Sequence, residues 1–266
     1  MNYQELCHQV CEIARETGKF QKEQRNNITA SNIESKGEHN FVTYVDKKSE
    51  ELIVSALCKL LPESGFIAEE GTSDKKGEKY NWIIDPLDGT TNYIHGLSPW
   101  AVSIALQEDN EMVIGVVYEV GLDECFYAWK NSAAFLNGKE IRVSEINKVD
   151  NALLATGFPY HDYTKIENFM KTLDYFMRHS HGLRRLGSAA TDLVYVACGR
   201  IEGFYEYGLN PWDVAAGAFI VERAGGQNSD FSGSDNYFFG EEIISSNKNI
   251  FYEFNNAIQK IMKSLQ

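Results

Sequence analysis

The apolar residues of this chain recur with two different periods, which divide it into a helical start, a strand-rich middle and an alternating second half. The first segment predicts an amphipathic helix, because its apolar residues are three, four or seven positions apart. They are Leu6, Val10, Ile13 and Phe20. Residues 26–40 lack periodicity and predict a polar loop, after which 41–45 is typical of a short strand and 47–61 of a helix that Pro62 ends.

Short apolar stretches then follow one another closely and predict the neighbouring strands of a sheet. Their sequences are GFIA, YNWIID, AVSIALQ, MVIGVVYEV and ECFYAWK. The next stretch, AAFLNGKEIRV, contains Asn137-Gly138. Because both residues tolerate the positive φ of a type I′ turn, this stretch predicts a β-hairpin.

Strands and helices alternate after about residue 150. The strand-like stretches are ALLATG, IEGFYE and IISS. The helix-like segments are 164–178, 188–199, PWDVAAGAFIVERAGG and the segment from about 249 onwards. A strand-rich half followed by an alternating half predicts an α+β layered sandwich, in which two lobes (about 1–148 and 149–266) form one domain.

Composition and charge narrow the class of protein. The 266 residues are 43% apolar and 24% charged, as in an ordinary globular protein with a sizeable core. The net charge of −13 disfavours nucleic acid and membrane surfaces as partners, and it would repel a phosphorylated substrate unless cations occupied an acidic site. The first segment lacks the apolar core of a signal peptide, and the five scattered cysteines indicate reduced thiols, so we expect a cytoplasmic protein.

Carboxylates gather where three predicted elements begin or end. Glu69 and Glu70 follow one strand, Asp85 and Asp88 follow another, and Asp213 lies in the first turn of a helix. Each group alone has an ordinary explanation: a solvated loop pair, a turn, or a charge that favours the helix dipole. Three such groups at the ends of elements are less common and predict a shared acidic site.

Small, hydroxyl-rich residues follow the second group directly, in the stretch WIIDPLDGTTNYIHG. Gly89-Thr90-Thr91 is expected to open a short helix that Gly96 closes. Unsatisfied backbone N–H groups at a helix start bind phosphate readily, and oxygen ligands without His or Cys select hard cations, Mg²⁺ first. The stretch therefore predicts carboxylates that hold magnesium beside amides and hydroxyls that hold a phosphate.

Five stretches that span nearly the whole chain resemble the inositol monophosphatase family of magnesium-dependent, lithium-sensitive phosphatases. In order they are FVTYVD, GFIAEEG, WIIDPLDGTTNYIHG, GSAATDL and YEYGLNPWDVAAGAFIVERAGG. The resemblance implies an αβαβα layered sandwich, two or three Mg²⁺ ions per active site and a homodimer. It also implies hydrolysis of inositol monophosphate or similar sugar-alcohol phosphates, with fructose 1,6-bisphosphate, NADP and 3′-phosphoadenosine 5′-phosphate as alternative substrates.

The same resemblance implies a set of metal ligands. Glu69, Asp85 and the backbone carbonyl of Leu87 would hold one Mg²⁺. Asp85, Asp88 and Asp213 would hold a second, and Glu69 would share a third through waters.

Further roles follow from the resemblance for the phosphate and the attacking water. Gly89 and Thr90 would bind the phosphate. Thr90, paired with Asp46 and helped by Glu69, would orient a water for direct in-line attack without a phosphoenzyme.

On the substrate side, the resemblance implies that Asp88, Ala189 and Glu206 contact hydroxyls of the alcohol. Lys36 would lie on a lid over the metals, although the common Pro and Asp of that loop are missing here. Asn210 and Pro211 replace the His-Cys pair of animal members, which alters the rim of the substrate site and leaves substrate identity open.

Two rival interpretations have less support in the sequence. Haloacid-dehalogenase-type phosphatases carry two aspartates two positions apart, whereas Asp85 and Asp88 are three apart. A metal-binding module that had lost catalysis would not be expected to keep Glu69, Thr90 and Asp213 as well.

Overall fold

The computed structural model describes residues 1–27, 33–37, 40–160 and 162–263. Its helices are α1 Tyr3–Gln24, α2 Tyr44–Leu60, α3 Thr90–Ile94, α4 Ile166–Arg178, α5 Ala189–Ala197, α6 Pro211–Arg223 and α7 Lys248–Met262. The first strands are β1 Ile33–Gly37, β2 Asn40–Thr43, β3 Gly65–Ala68, β4 Tyr80–Asp88, β5 Ala101–Glu108, β6 Glu111–Glu119 and β7 Glu124–Trp129. The later strands are β8 Ala134–Leu136, β9 Lys139–Ile141, β10 Leu153–Thr156, β11 Gly182–Arg184, β12 Gly203–Tyr207, β13 Gln227–Ser229 and β14 Glu242–Ser246.

Two sheets organise the fold. The first has seven strands in the order β3-β4-β5-β6-β7-β8-β9 and is antiparallel except for the pair β3 and β4. The second has five strands in the order β11-β10-β12-β14-β13, of which the first three run parallel. β1 and β2 form a separate antiparallel pair.

Helices cover both faces of each sheet, and three apolar clusters show the layering. α1 and α2 pack on the outer face of the first sheet, α5 and α6 fill the space between the sheets, and α4 and α7 cover the second sheet. The order of layers is therefore αβαβα, and the predicted α+β sandwich is confirmed.

Small residues in α6 allow the middle layer to pack closely. A Cβ atom on Gly217 would lie 2.7 Å from the Cβ of Leu193 in α5, and one on Gly115 in β6 would lie 2.7 Å from the carbonyl oxygen of Ala216. Such distances leave no room for larger side chains. This close packing brings the first turn of α6, and with it Asp213, against the end of the first sheet.

The sequence prediction is confirmed at several elements and wrong at others. Asn137 and Gly138 both have positive φ (47° and 82°), as the hairpin required. The predicted loop at 26–40 is wrong for Ile33–Gly37, which pairs with β2. α2 begins at Tyr44 and not at residue 47, because Thr43 and Asp46 form a capping box that starts the helix earlier. β11 and β13 were not predicted.

Throughout the described ranges, the structure contains no helix that is both long enough and apolar enough to cross a membrane.

Candidate active site

One cleft gathers the acidic residues that the sequence singled out. It has a volume of about 130 Å³, and its lining comes from the ends of β3 and β4, from β12 and the segment after β10, and from the first turns of α3, α5 and α6. Among the described residues that line it, six are carboxylic acids and one, Arg185, is basic. The acids are Glu69, Asp85, Asp88, Asp192, Glu206 and Asp213.

A β-bulge explains how Asp85 and Asp88 reach the same cleft. Side chains three positions apart in a regular strand point to opposite faces. In β4, Asp85 pairs with Ser103 and Asp88 with Ala101, so β4 carries one extra residue at this point. The bulge includes Pro86, which has no N–H to lose from the ladder. Because of this extra residue, the carboxylates of Asp85 and Asp88 point to the same face of the sheet.

The first wall of the cleft consists of Glu69, Asp85, Asp88 and Asp213, and its aspartates are held by hydrogen bonds. Oδ1 of Asp85 accepts from the Leu87 amide at 2.9 Å, and Glu69 also hydrogen-bonds with Asp85. Oδ2 of Asp213 accepts from the amide of Asn210 at 2.7 Å, within a capping box. These bonds fix the carboxylates before any ligand arrives.

Asp88 connects the two sides of the molecule. It ends β4, yet its Oδ2 accepts hydrogen bonds from the Ser188 hydroxyl at 2.6 Å and from the Ala190 amide at 2.8 Å. Both donors lie at the start of α5, and Ala189 between them also lines the cleft. A single carboxylate therefore ties the first sheet to the middle helical layer.

Crowding raises the pKa values of the first wall. Burial raises the pKa of Asp85 well above its usual range, and the nearby charges of Glu69, Asp88 and Asp213 raise it further. Burial and Asp88 do the same to the pKa of Asp213. Burial raises the pKa of Asp88 to about 6, although its hydrogen bonds from Ser188 and the α5 amides oppose the shift.

Thr90 and Asp46 meet beside the first wall. The predicted short helix is confirmed as α3, which begins at Thr90 directly after its N-cap Gly89 (φ 90°). The Thr90 hydroxyl lies 3.0 Å from Oδ1 of Asp46 and 3.0 Å from the carbonyl oxygen of Leu87. A hydroxyl has one hydrogen, so it donates to one of these acceptors at a time. Burial raises the pKa of Asp46, against the hydrogen bonds from Thr43 and Thr90.

The second wall consists of Gly157, Arg185, Asp192 and Glu206 and comes from the second sheet and α5. Glu206 in β12 is 7% exposed, and its carboxylate rests on the backbone of Gly157. A Cβ atom at Gly157 would lie 1.9 Å from the carboxyl carbon of Glu206. Only glycine at this position lets Glu206 adopt the observed position.

Arg185 lies near enough to both acids of the second wall for its charge to lower their pKa values. Its Nη2 donates to the Tyr160 hydroxyl at 2.5 Å, and its guanidinium lies 5.2 Å from the ring centroid of Phe158. Burial raises the pKa values of Asp192 and Glu206 well above their usual range, and the charge of Arg185 opposes both shifts. One guanidinium therefore serves two carboxyl groups.

The first wall fits magnesium by donor type and by charge. Its ligands are all oxygens, which Mg²⁺ prefers, and its raised pKa values show carboxylates in need of a counter-charge. In the described part of the chain, no three His, Cys, Asp or Glu side chains converge closely enough to hold an ion as they stand. Each aspartate of this wall has one oxygen turned to a protein donor, so cation binding would require the carboxylates to move closer together.

Most of the residues singled out in the sequence lie in this one cleft. The cleft lining includes Glu69, Asp85, Leu87, Asp88, Gly89, Thr90, Ala189, Glu206 and Asp213, and Asp46 reaches it through Thr90. Lys36 belongs to β1, but its side chain lies outside the described residues. Sequence reasoning missed Arg185, Asp192 and Gly157. The only signal was their position in TGFPY and RRLGSAATDL, between a strand and a helix start.

Comparisons with known proteins cover the whole chain. A family model described as the inositol monophosphatase family matches residues 2–263. The inositol-1-monophosphatase of Mesorhizobium japonicum is 35% identical over 256 residues, which cover 96% of each chain. The Nus factor SuhB of Escherichia coli (strain K12) is 40% identical over 233 residues, which cover 84% of this chain and 87% of that one. The solved structure of the Thermotoga maritima IMPase gives a TM-score of 0.89 at 33% identity and covers 100% of each chain.

Proposed function

The chain belongs to the inositol monophosphatase family, and from this premise we propose that it is a Mg²⁺-dependent phosphomonoesterase. Its substrate is inositol monophosphate or a similar small polyol phosphate, which it hydrolyses by direct attack of water. The observation that carries this proposal is the first wall. Four carboxylates line one cleft beside Gly89 and Thr90, the start of a helix that can receive a phosphate.

Glu69, Asp85, Asp88, Asp213 and the Leu87 carbonyl would hold the metal ions. When bound, Mg²⁺ supplies Lewis-acid charge that neutralises the phosphate, activates the water and stabilises the leaving oxygen. Asp85 and Asp213 each keep one oxygen on a backbone amide, and cation binding would draw the remaining carboxylate oxygens of the wall together.

Thr90 and Asp46 orient the water. When the Thr90 hydroxyl donates to Asp46, its own lone pairs are free to accept a hydrogen bond from the attacking water. Glu69, on the same side of the cleft, accepts a second. Holding the water in line with the phosphorus atom replaces a bimolecular encounter with a positioned one.

Asp88 on the first wall, Glu206 on the second wall and Ala189 at the start of α5 all line the cleft and would contact the leaving alcohol. The second wall carries two carboxyl groups for one guanidinium. This charge balance favours an uncharged polyol over a leaving group with another phosphate. We therefore rank inositol monophosphate above fructose 1,6-bisphosphate, NADP and 3′-phosphoadenosine 5′-phosphate.

A phosphate-release screen over these four substrates tests the proposal. We expect release that depends on added Mg²⁺, is abolished by EDTA and is fastest with inositol 1-phosphate. Fastest release from one of the other three would keep the phosphatase and change its substrate. No release from any phosphomonoester at millimolar Mg²⁺ would overturn the proposal.

Family membership supports further proposals about the same protein. The chain would act as one domain of two lobes and assemble as a homodimer. Li⁺ would inhibit uncompetitively by replacing a Mg²⁺ between Asp85, Asp88 and Asp213. Full activity in molar LiCl, with NaCl as the ionic-strength control, would contradict the assigned site.

The similarity to proteins named Nus factor SuhB, at 38–40% identity, favours a second candidate: that this chain acts as a Nus factor. A genetic experiment distinguishes the two candidate functions. In the source organism, a gene that carries Asp85→Asn would restore the function of a deletion strain if the role were independent of catalysis. Failure to restore it, with the variant present at normal levels, would favour the phosphatase.

A further inference from the structure

Asp192 is a buried carboxylic acid that accepts no hydrogen bond from the described residues. It lies in the first turn of α5, is 1% exposed and lines the cleft. Its Oδ1 has no hydrogen-bond partner in the described part of the chain. Buried polar groups are hydrogen-bonded in the great majority of cases, so an exception calls for a specific reason.

Stability does not supply that reason. The cap of α5 is provided by Ser188, whose side chain accepts from the Thr191 amide, so Asp192 is not needed to start the helix. Its nearest charged neighbours include two further acids, Glu206 and Asp88, which repel it. A buried, unpartnered and repelled carboxyl group costs folding free energy.

Two neighbours on the same wall also have unused hydrogen-bonding capacity. Within the described part of the chain, Nε of Arg185 is buried and has no acceptor, and the Glu206 carboxylate, which lines the cleft, accepts no hydrogen bond. Two acceptors and a donor thus surround one part of the cleft with their hydrogen-bonding capacity unused. Eight buried side-chain atoms of the described residues lack a hydrogen-bond partner, and two of them, Oδ1 of Asp192 and Nε of Arg185, belong to residues that line this cleft, where a ligand can satisfy them.

We propose that Asp192 binds a hydroxyl of the leaving alcohol, next to the hydroxyl contacted by Glu206, with Arg185 as the donor between them. This inference rests on the proposed phosphatase function and specifies its substrate class. The substrate is a polyol monophosphate with at least two neighbouring hydroxyls away from the ester bond. A hydroxyl both donates and accepts, so a vicinal diol can satisfy two acids and one guanidinium together.

Kinetics of Asp192→Asn and Asp192→Leu on two substrates test the assignment. With inositol 1-phosphate, we expect kcat/KM to fall about 10- to 100-fold, because a desolvated hydrogen bond to a charged group is lost. With p-nitrophenyl phosphate, which offers no such hydroxyl, kcat/KM stays within about twofold. Asp150→Asn removes an equal charge from an exposed position and should change neither.

The melting midpoint of the metal-free protein gives a second, independent readout. If Asp192 is kept for substrate, Asp192→Leu should leave the midpoint unchanged or raise it by a few degrees, since an unpartnered buried acid is removed. A structural role predicts a lower midpoint. A lower midpoint together with an equal fall on both substrates would overturn the inference, and so would unchanged kinetics on both.

These outcomes are distinct from failure of the proposed function. A wild-type protein that releases no phosphate from either substrate with Mg²⁺ refutes the phosphatase and this inference with it. A wild-type protein that hydrolyses p-nitrophenyl phosphate with Mg²⁺ but not inositol 1-phosphate or another polyol phosphate keeps the phosphatase and refutes only the diol site.

Discussion

The two walls of the cleft are both acidic, yet they differ in how their carboxylates are held. On the first wall, Asp85, Asp88 and Asp213 each accept at least one hydrogen bond from the protein. On the second wall, Asp192 and Glu206 accept none from the described residues. The first set comes from the first sheet and α6, whereas the second comes from α5 and β12.

This difference indicates two kinds of preorganisation. Ligands of a cation must be held in defined orientations. Backbone amides orient the carboxylates at the bulge of β4 and at the start of α6. The hydroxyls of a polyol are themselves hydrogen-bond donors, so the carboxylates that bind them need no donor from the protein. Residues of the first wall should therefore control the rate with every substrate, and residues of the second wall should control which substrate is preferred.

The largest effect is expected from Asp85→Asn. Asp85 would contribute to two metal sites, so its loss should reduce turnover below a tenth of the wild-type rate with every substrate at saturating Mg²⁺. The metal-free melting midpoint should stay level or rise, because repulsion from Glu69, Asp88 and Asp213 is relieved.

Asp109→Asn is the matched control for this change. Asp109 is exposed in the turn between β5 and β6 at φ 49°, a conformation that Asn also tolerates. More than a tenth of the wild-type rate in Asp85→Asn would contradict the assignment of Asp85 to both metal sites.

Glu206→Ala should affect specificity and not the chemical step. A dry hydrogen bond between a carboxylate and a hydroxyl contributes about 1.5 to 3 kcal/mol. We expect kcat/KM for inositol 1-phosphate to fall about 10- to 150-fold. Hydrolysis of p-nitrophenyl phosphate should stay within about twofold, whereas a parallel fall on both substrates would place Glu206 in the metal or structural shell.

A smaller effect is expected from Gly157→Ala, which acts on Glu206 indirectly. The new methyl group would overlap the Glu206 carboxylate, which must move. We expect KM for inositol 1-phosphate to rise about three- to tenfold, as a contact is weakened and not removed. In a Glu206→Ala background, Gly157→Ala should leave KM for inositol 1-phosphate almost unchanged. An equal rise in KM in both backgrounds would show that Gly157 does not act through Glu206.

The smallest effect is on stability against pH. Five acids of the two walls have raised pKa values, and that of Asp88 is about 6. An acid whose pKa is higher in the folded state stabilises the fold below its unfolded pKa, and this stability is lost as pH rises through the folded value. The melting midpoint without metal should therefore fall by a few degrees between about pH 4 and pH 7.

Saturating Mg²⁺ at pH 7 should restore the midpoint through the first wall. Asp88→Asn should show a shallower dependence on pH than wild type. A midpoint that rises with pH in EDTA would contradict the raised pKa values.

Much of the first wall could be predicted from the sequence because its signals are local. The stretch from Trp82 to Gly96 contains a strand, two aspartates and a helix start in 15 residues, and the Pro-Trp-Asp stretch marks the start of α6. The bulge itself could not be read, since it depends on the pairing of β4 with β5. Thr43 caps α2 within the stretch 41–45 that the sequence predicted as a strand, so the predicted helix started three residues too late.

Apart from Glu206, which the family resemblance indicated, the second wall could not be predicted because its residues meet only through the order of the second sheet. Gly157 follows β10, Arg185 follows β11 and Glu206 lies in β12, and β10 lies between the other two strands. Asp192 resembles any acid in a first helical turn, and only burial without a partner distinguishes it. β1 was not predicted for a different reason: its sequence IESKG has no alternation of apolar and polar residues.

Asp88 also couples ligand binding in the cleft to the contact between the first sheet and α5. The carboxylate that would hold a cation is the one that fastens β4 to the first turn of α5. Binding of a cation to Asp88 would restrain the contact between the sheet and the helix, and release of the cation would loosen it. The Ala190 amide hydrogen reports on that motion directly: its exchange with deuterium should slow when Mg²⁺ is bound.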